Sequence, residues 1–504
     1  MLCLLIILYK INISICNFSK YVRDGKVRVM SDLLKLYIDG QWVGGEDNEK
    51  IPVINPATEE TLYHVCAATD ENLTDAVSSA ERAFKKWAFT SAVDRSKILT
   101  SAAEQLDRRR DAIANALTRE QGKPIGEAMG EVQAAIQSFA WAAEQALEIK
   151  NVTYDNDVGN YIQQSDYEPV GIVAGFSPWN FPIMLTARKI AAALAAGCCI
   201  IIKPAEETPA SALALAQALD DADLPAGVLS MVFGDPEQIS NHLINQKSVR
   251  KVSLTGSSAV GKKLAKIASD TLTPCVLELG GHAPVLVFDD VDVDGVAKSL
   301  AIFKYRNAGQ VCISPSRFFI HKNIFDAFCN KFVEYVSALV VGDGAKSDTD
   351  VGPLAHERRL NAIDALVVDA KNKGAKCLLG GHKLNRAGYF YAPTVLTGVP
   401  ENAELMKTEI FGPVAVLADF EDVDDVLARA NDVPYGLASY VFTQAPETID
   451  YVKPRLEVGL VSINITTPIR ENVPFGGVKE SGYGYEGGKV GLHSFLHSKL
   501  IHKA

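Results

Sequence analysis

The sequence predicts an α/β protein of two large lobes, the first a doubly wound parallel sheet. Three observations carry this. The chain has 504 residues, 48% hydrophobic and 22% charged, and a single hydrophobic core stops growing at roughly 250–300 residues. From Gly171 to Glu278, short apolar runs alternate with helical stretches, and a second alternation runs from Pro284 to about Gly459. Short strands that are apolar on both faces, spaced by helices of about 10–15 residues, are the pattern of βαβ units around a parallel sheet.

Taken in order, Met1 to Leu8 is almost wholly apolar, but Lys10 and Asn12 interrupt it, well short of the roughly 20 residues of a membrane span. Neither the basic start nor the small-residue cleavage site of a signal peptide is clear. Residues 1–29 are expected to be a leader, disordered or not part of the native protein, which leaves Met1 and Met30 as alternative starts. Leu36 to Trp42 reads as a strand and turn, and Asp70 to Lys150 as a helical layer broken at Gly122-Lys123-Pro124. The first lobe then shows Ile172-Val173-Ala174, Cys199 to Ile202, Leu229 to Phe233, Lys251 to Leu254 and Cys275 to Glu278 as strands. Ala187 to Ala196, Ala210 to Leu219, Glu237 to Asn245 and Gly261 to Ala268 read as helices between them. The second shows strand-like Val285 to Phe288, Arg317 to Ile320, Pro413 to Leu417 and Leu437 to Phe442. The boundary is expected near Gly280-Gly281, where two glycines interrupt the pattern.

Fifty Lys plus Arg against 61 Asp plus Glu give a net charge of −11, which argues against a nucleic-acid partner. The one basic clump, Arg108 to Arg110, is flanked by Asp107 and Asp111 and reads as a solvated helix face. No segment is long and apolar enough for a membrane. Nine scattered cysteines without a CxxC pair suggest neither a disulfide framework nor a zinc site; they point to a reducing, cytoplasmic setting and to no metal.

Most cysteines are then core filler, Cys198, Cys199 and Cys275 inside strand runs among them. Cys312 differs, because Asn307-Ala308-Gly309-Gln310-Val311-Cys312 is a loop of small residues that opens a thiol to a ligand. Glu278 closes an apolar strand, where a carboxyl should have a raised pKa suited to proton transfer near neutrality; a paired strand-end glutamate is the plainer alternative. Pro178-Trp179-Asn180-Phe181-Pro182 is a proline-bracketed turn able to aim Asn180 as an oxyanion donor, or merely to cap a turn with it. Lys203-Pro204-Ala205-Glu206 follows a strand at its carboxyl end, where open α/β sheets bind nucleotides. Thr255-Gly256-Ser257 joins a strand to a helix and offers backbone N–H groups to a pyrophosphate.

These stretches, together with Leu277-Glu278-Leu279-Gly280-Gly281, Glu409-Ile410-Phe411-Gly412-Pro413 and Pro474-Phe475-Gly476-Gly477, resemble the NAD(P)-dependent aldehyde dehydrogenase superfamily from about Leu36 to the C-terminus. The resemblance implies the aldehyde dehydrogenase fold: a Rossmann-like cofactor lobe, an α/β catalytic lobe and a small β extension for oligomerisation. The NAD-binding domain is expected at 30–145 and 166–279, the catalytic domain at 280–460 and the oligomerisation segment at 146–165 and 478–504, assembling a homodimer or homotetramer. It also implies roles. Cys312 attacks the aldehyde, and the Asn180 amide and the Cys312 backbone N–H hold the oxyanion. Hydride leaves for the nicotinamide, and Glu278 activates the water that hydrolyses the thioester. Lys203 and Glu206 would bind the adenosine ribose, with Trp179, Gly256 and Ser257 beside the cofactor and Glu409 and Phe411 gripping the nicotinamide ribose. A carboxylate at Glu206 would repel a 2′-phosphate, so NAD is expected, with NADP as the alternative.

Arg306, six residues before Cys312, and Arg188, eight after Asn180, match arginines that succinate-semialdehyde dehydrogenases use to bind the substrate's far carboxylate. A guanidinium fork suits that role. A small-molecule semialdehyde is therefore expected, succinate semialdehyde first. Ser314 stands where some of those enzymes have a second cysteine, and Pro468-Ile469-Arg470-Glu471 differs from their carboxylate-binding loop. Gln310 to Pro315, Gly234-Asp235-Pro236 and Leu456 to Gly459 resemble 2-oxoglutarate-semialdehyde dehydrogenases of sugar-acid catabolism equally well. Two further alternatives are a catalytically retired binding protein of the same fold and a cysteine hydrolase, the latter opposed by the lack of a motif-positioned His to pair with Cys312.

Overall fold

The structure is a computed structural model that describes residues 32–45, 48–154, 161–467 and 469–503. The expected leader and Pro468 lie outside them. An eight-stranded sheet organises the first lobe, in the order Gly482–Tyr483, Cys275–Glu278, Val249–Thr255, Ile172–Phe176, Cys199–Lys203, Leu229–Met231, Leu36–Ile38, Gln41–Val43. The five strands from Cys275–Glu278 to Leu229–Met231 run parallel. Ile172–Phe176 and Cys199–Lys203 are buried at every residue, because helices cover both faces and leave no solvated side for polar residues. The chain enters at Ile172–Phe176, steps outward to Leu229–Met231, then returns to Val249–Thr255 on the other side. That reversal opens a crevice at the carboxyl ends of the two neighbouring strands, the switch point where such sheets bind ligands.

The helical layer consists of Asp70–Trp87, Ala92–Arg108, Arg110–Gln121 and Ile125–Ala146. Thr69 and Asn72 form a reciprocal capping box, Ser91 accepts the Asp94 N–H, and Gly122 ends the third helix in the left-handed region at φ 95°. Arg108 to Arg110 are not one helix face, as the sequence suggested. The helix breaks at Arg109, which pairs with Asp221, while Arg110 turns back to Asp107.

The second lobe holds a seven-stranded sheet, in the order Lys376–Leu379, Thr394–Thr397, Val414–Phe420, Arg317–His321, Pro284–Val287, Ala438–Phe442, Leu460–Ile463. All its pairings are parallel except the first. One large apolar core draws on residues from Leu36 to Leu279 and recovers Leu492 and Phe495 from the C-terminal end, and a second begins at Ala283. A third sheet, antiparallel, joins Val152–Tyr154, Ile162–Pro169 and Leu496–Lys503. Of the segment expected at 478–504, Gly482–Tyr483 pairs instead with Cys275–Glu278 in the first sheet, and Leu496–Lys503 joins residues of 146–165 in the third. Cys275 opens its strand half-buried rather than lying inside it. Among the described residues, no helix is long and apolar enough to cross a membrane.

Candidate active site

Parallel strands send their carboxyl ends to one edge, so Asn180, Lys203, Ser257 and Glu278 leave the first sheet on the same side. Cys312 meets them from the second lobe. The helix Val293–Tyr305 runs into a tight turn at Arg306–Gly309, in which Asn307 and Ala308 are held at φ 50° and 53°. Three residues later the Cys312 thiol donates to Glu278 Oε1 at 3.6 Å. Burial, and next the Glu278 and Glu409 carboxylates, push that thiol well above its ordinary pKa, so its proton needs an acceptor. Glu278 is one. It is 2% exposed, and burial first, then the Glu486 carboxylate, raise it to about 7, against the pull of Lys189, Arg188 and the Thr255 hydroxyl.

Asn180 is 3% exposed. It does not cap the helix Pro182–Ala196, which begins from Phe181 without a side-chain cap. Its Nδ2 donates to the Gln310 carbonyl at 3.1 Å, which ties the amide to the Cys312 loop, and its Oδ1 is buried without a partner. One Nδ2 hydrogen is left for a further acceptor. Glycines form the floor between the lobes. A Cβ on Gly280 would stand 2.5 Å from Glu409 Oε2, and one on Gly281 would stand 2.6 Å from the Cys312 carbonyl oxygen. The Gly281 N–H donates to Glu409 Oε1 at 3.1 Å, and burial raises Glu409 to about 7.

At the switch point lies a cavity of about 1410 Å³ lined by Trp179, Lys203, Glu206, Gly256 and Ser257. It exceeds the roughly 300–1,000 Å³ of ordinary ligand pockets. Lys203 pairs with Glu206 at 2.5 Å, and Glu206 Oε1 accepts the Gly234 N–H at 3.1 Å. Ser257 caps the helix Ser258–Ser269, accepting the Val260 N–H, so a helix N-terminus faces the cavity where an anion is favoured. A carboxylate for ribose hydroxyls and a helix N-terminus for phosphates fit a dinucleotide. Glu409 and Phe411 do not line the cavity; Phe411 meets the Trp179 ring edge-on at 5.4 Å, and His356 meets the same ring at 5.1 Å.

Arg188, on the helix after Asn180, donates Nη2 to the Ile469 carbonyl at 3.1 Å, and its charge is felt at Glu278. The Arg306 guanidinium lies over the Phe181 ring at 5.5 Å and the Phe303 ring at 5.2 Å. In both arginines Nε is buried without a hydrogen-bond partner.

This arrangement has counterparts. The model of the aldehyde dehydrogenase family matches residues 42–501. The chain belongs to that family. A mitochondrial succinate-semialdehyde dehydrogenase of Arabidopsis thaliana is 39% identical over 464 residues, covering 92% of this chain and 88% of the relative. A putative 4-(hydroxymethyl)benzenesulfonate dehydrogenase of Comamonas testosteroni is 40% identical over 468 residues, 93% and 98% of the two chains. The crystal structure of a succinate-semialdehyde dehydrogenase from Burkholderia pseudomallei superposes with a TM-score of 0.92 at 39% identity, over 94% and 98% of the chains. The protein is thus an NAD(P)-dependent aldehyde dehydrogenase.

Behind Glu278 in this dehydrogenase stand two residues the sequence did not single out, Lys189 and Glu486, reached through Thr255. The Thr255 hydroxyl donates to Glu278 Oε2 at 3.0 Å and accepts from Lys189 Nζ at 2.7 Å, while Lys189 forms a buried ion pair with Glu486. Glu486 is fixed by reciprocal backbone bonds with Phe475, each 2.8 Å. Lys189 was the legible member, a lysine on an otherwise apolar helix beside Arg188. Glu486 carries no spacing signal, being more than 200 residues from Glu278.

Proposed function

We propose that the enzyme oxidises an aldehyde bearing a distal carboxylate, succinate semialdehyde first, to the corresponding acid with NAD. The observation that carries this is the pair of buried, unpartnered Nε groups on Arg188, whose charge is felt at Glu278, and on Arg306, six residues before Cys312. A buried guanidinium without its full set of acceptors is costly, and a bidentate anion supplies them. The names of the plant and Burkholderia relatives, both succinate-semialdehyde dehydrogenases, support the same reading. Oxidation of 2-oxoglutarate semialdehyde is the second reading, favoured by Ser314 and by the Ile469-Arg470 segment that Arg188 contacts.

In this mechanism Glu278 takes the Cys312 proton, and the thiolate adds to the aldehyde carbon. The free Nδ2 hydrogen of Asn180 and the Cys312 backbone N–H stabilise the oxyanion. A nicotinamide dinucleotide held there would supply the hydride acceptor, and loss of hydride from the Cys312 thiohemiacetal leaves a thioester. After releasing that first proton to solvent, Glu278 accepts a second from the water that attacks the thioester, and the Cys312 thiolate is expelled as the carboxylic acid forms; a pKa of about 7 allows both transfers. Lys203, Glu206, Gly256 and Ser257 hold the adenosine and phosphate end of the cofactor, and Trp179, Glu409 and Phe411 the nicotinamide end. Glu206 favours NAD because its carboxylate would repel a 2′-phosphate. The exposed Tyr154, Ile162 and Leu500 on the third sheet suit pairing between subunits in a dimer or tetramer. The seven cysteines among the described residues form no disulfide with one another, which suits a cytoplasmic setting.

The deciding experiment is kcat/KM for succinate, 2-oxoglutarate and glutarate semialdehydes and for butanal, with NAD and with NADP, in wild type and Arg306→Ala. A carboxylated aldehyde should be preferred, and Arg306→Ala should remove about 2–5 kcal/mol of that preference. Equal use of butanal by both proteins overturns the semialdehyde assignment and leaves the dehydrogenase.

A further inference from the structure

The helix Ile125–Ala146 belongs to the first lobe, yet its opening turns hold two carboxylates that face the reacting groups. Glu127 accepts the Asn307 N–H with both oxygens, at 3.1 and 2.9 Å. Asn307 opens the left-handed turn that delivers Cys312, a conformation uncommon for L-residues and costlier for Ala308 than for Asn307. One helical turn on, Glu131 is 4% exposed and accepts the Ile183 and Met184 N–H groups at 3.0 and 3.2 Å. Just before the helix, Lys123 is 1% exposed, pairs with Glu131 at 2.5 Å and donates to the Asn180 carbonyl at 2.6 Å. The Asn307 side chain closes the circuit, donating to the same Asn180 carbonyl at 3.0 Å.

We infer that Glu127 is a positioning residue that fixes the Cys312 turn against Asn180 across the lobe boundary, with the Lys123–Glu131 pair as its anchor. This rests on the proposed roles of Cys312 and Asn180. Without Glu127 the Asn307 N–H loses its carboxyl acceptor and the left-handed pair Asn307-Ala308 is free to relax, which moves the thiol relative to Asn180, whose backbone carbonyl remains held by Lys123. Arg306, adjacent to Asn307, shares this clamp, and its charge and that of Lys123 both act on Glu127. Loss of Glu127 therefore disturbs the attacking thiol and the substrate tail site together, and leaves the cofactor cavity intact because Glu127 is not on its wall.

The test compares Glu127→Ala, Glu127→Gln and Glu127→Asp for kcat, for the rate of Cys312 alkylation by iodoacetamide, and for NAD affinity by fluorescence quenching, with Cys312→Ala alongside. Glu127→Ala should lose about tenfold or more in kcat and alkylation rate, since misplacement of about 1 Å can cost about a hundredfold, with NAD affinity within about twofold of wild type. Glu127→Gln keeps an oxygen acceptor and should recover to within about threefold of wild type, and Glu127→Asp, shorter by one methylene, should fall between. If Glu127→Ala does not fold, the Gln and Asp pair carries the test by itself. Wild-type kcat and alkylation in Glu127→Asp, or equal loss in Gln and Asp, overturns the inference. Activity retained by Cys312→Ala overturns instead the catalytic reading beneath it.

Discussion

The Cys312 thiol stands 3.6 Å from Glu278 Oε1, the thiol driven away from ionisation by burial and the carboxyl raised to about 7. In the proposed mechanism this pairing makes the carboxylate, not the intrinsic acidity of the thiol, set when the thiolate is available. Glu278→Gln should therefore lower kcat by about 10²–10⁴-fold, the usual span for removing a general base. Alkylation of Cys312 should slow in the same variant; unchanged alkylation would separate Glu278 from the thiol.

The pH dependence follows with a definite sign. Glu278 has a raised pKa, so it is protonated and unable to accept a proton below about 7 and becomes competent above it. Wild-type kcat/KM should rise through that pH. Thr255 donates to Glu278 and lowers its pKa, so Thr255→Val should move the rise to higher pH. A shift to lower pH would refute the assigned hydrogen bond.

Lys189 and Glu486 form an ion pair with Lys189 wholly buried. Lys189→Met leaves the Glu486 charge uncompensated and should cost about 3–5 kcal/mol of stability by denaturant unfolding. The same variant should raise the Glu278 transition, because Lys189 lowers it and Glu486 raises it. Lys189→Met with Glu486→Gln should regain much of the lost stability, and the absence of any coupling between the two would contradict the pair.

Gly281→Ala places a methyl group 2.6 Å from a backbone oxygen of Cys312 and 3.0 Å from Leu437 Cβ. Something must move, and Cys312 lies outside the strands whereas Leu437 adjoins the strand Ala438–Phe442. A loss of kcat of about 10²-fold or more is expected, read together with circular dichroism to establish that the fold persists. Wild-type activity in a folded Gly281→Ala would show that the turn tolerates displacement.

The succession of buried strands and helices was legible because it is local. Continuous apolar runs such as Cys199 to Ile202 have only one use in an α/β domain, and Gly122 and Ser91 mark helix ends by their own backbone and side-chain chemistry. Cys312, Glu278 and Asn180 were singled out from short segments that left each a plainer reading, and it was the family resemblance of those segments, not their composition, that nominated them. The neighbouring Gly280-Gly281 spoke only of an interrupted pattern, and its purpose, room for Glu409 and for the Cys312 carbonyl, needed the opposite lobe to be seen.

Long-range pairing was not legible at all. Nothing in the spacing of Glu127 and Asn307, or of Lys189 and Glu486, announces a contact, because a buried charge is distinguished from a solvated one only by what the rest of the chain packs around it. The return of Gly482–Tyr483 to the edge of the first sheet is of the same kind, since a two-residue strand carries no period of its own. By itself the sequence determined the fold class and nominated the groups proposed to react. Tertiary structure alone decided which charges neutralise which, and hence the proton affinity of Glu278 and the alignment of Cys312, because desolvation and Coulomb interaction depend on distances that the linear chain does not encode.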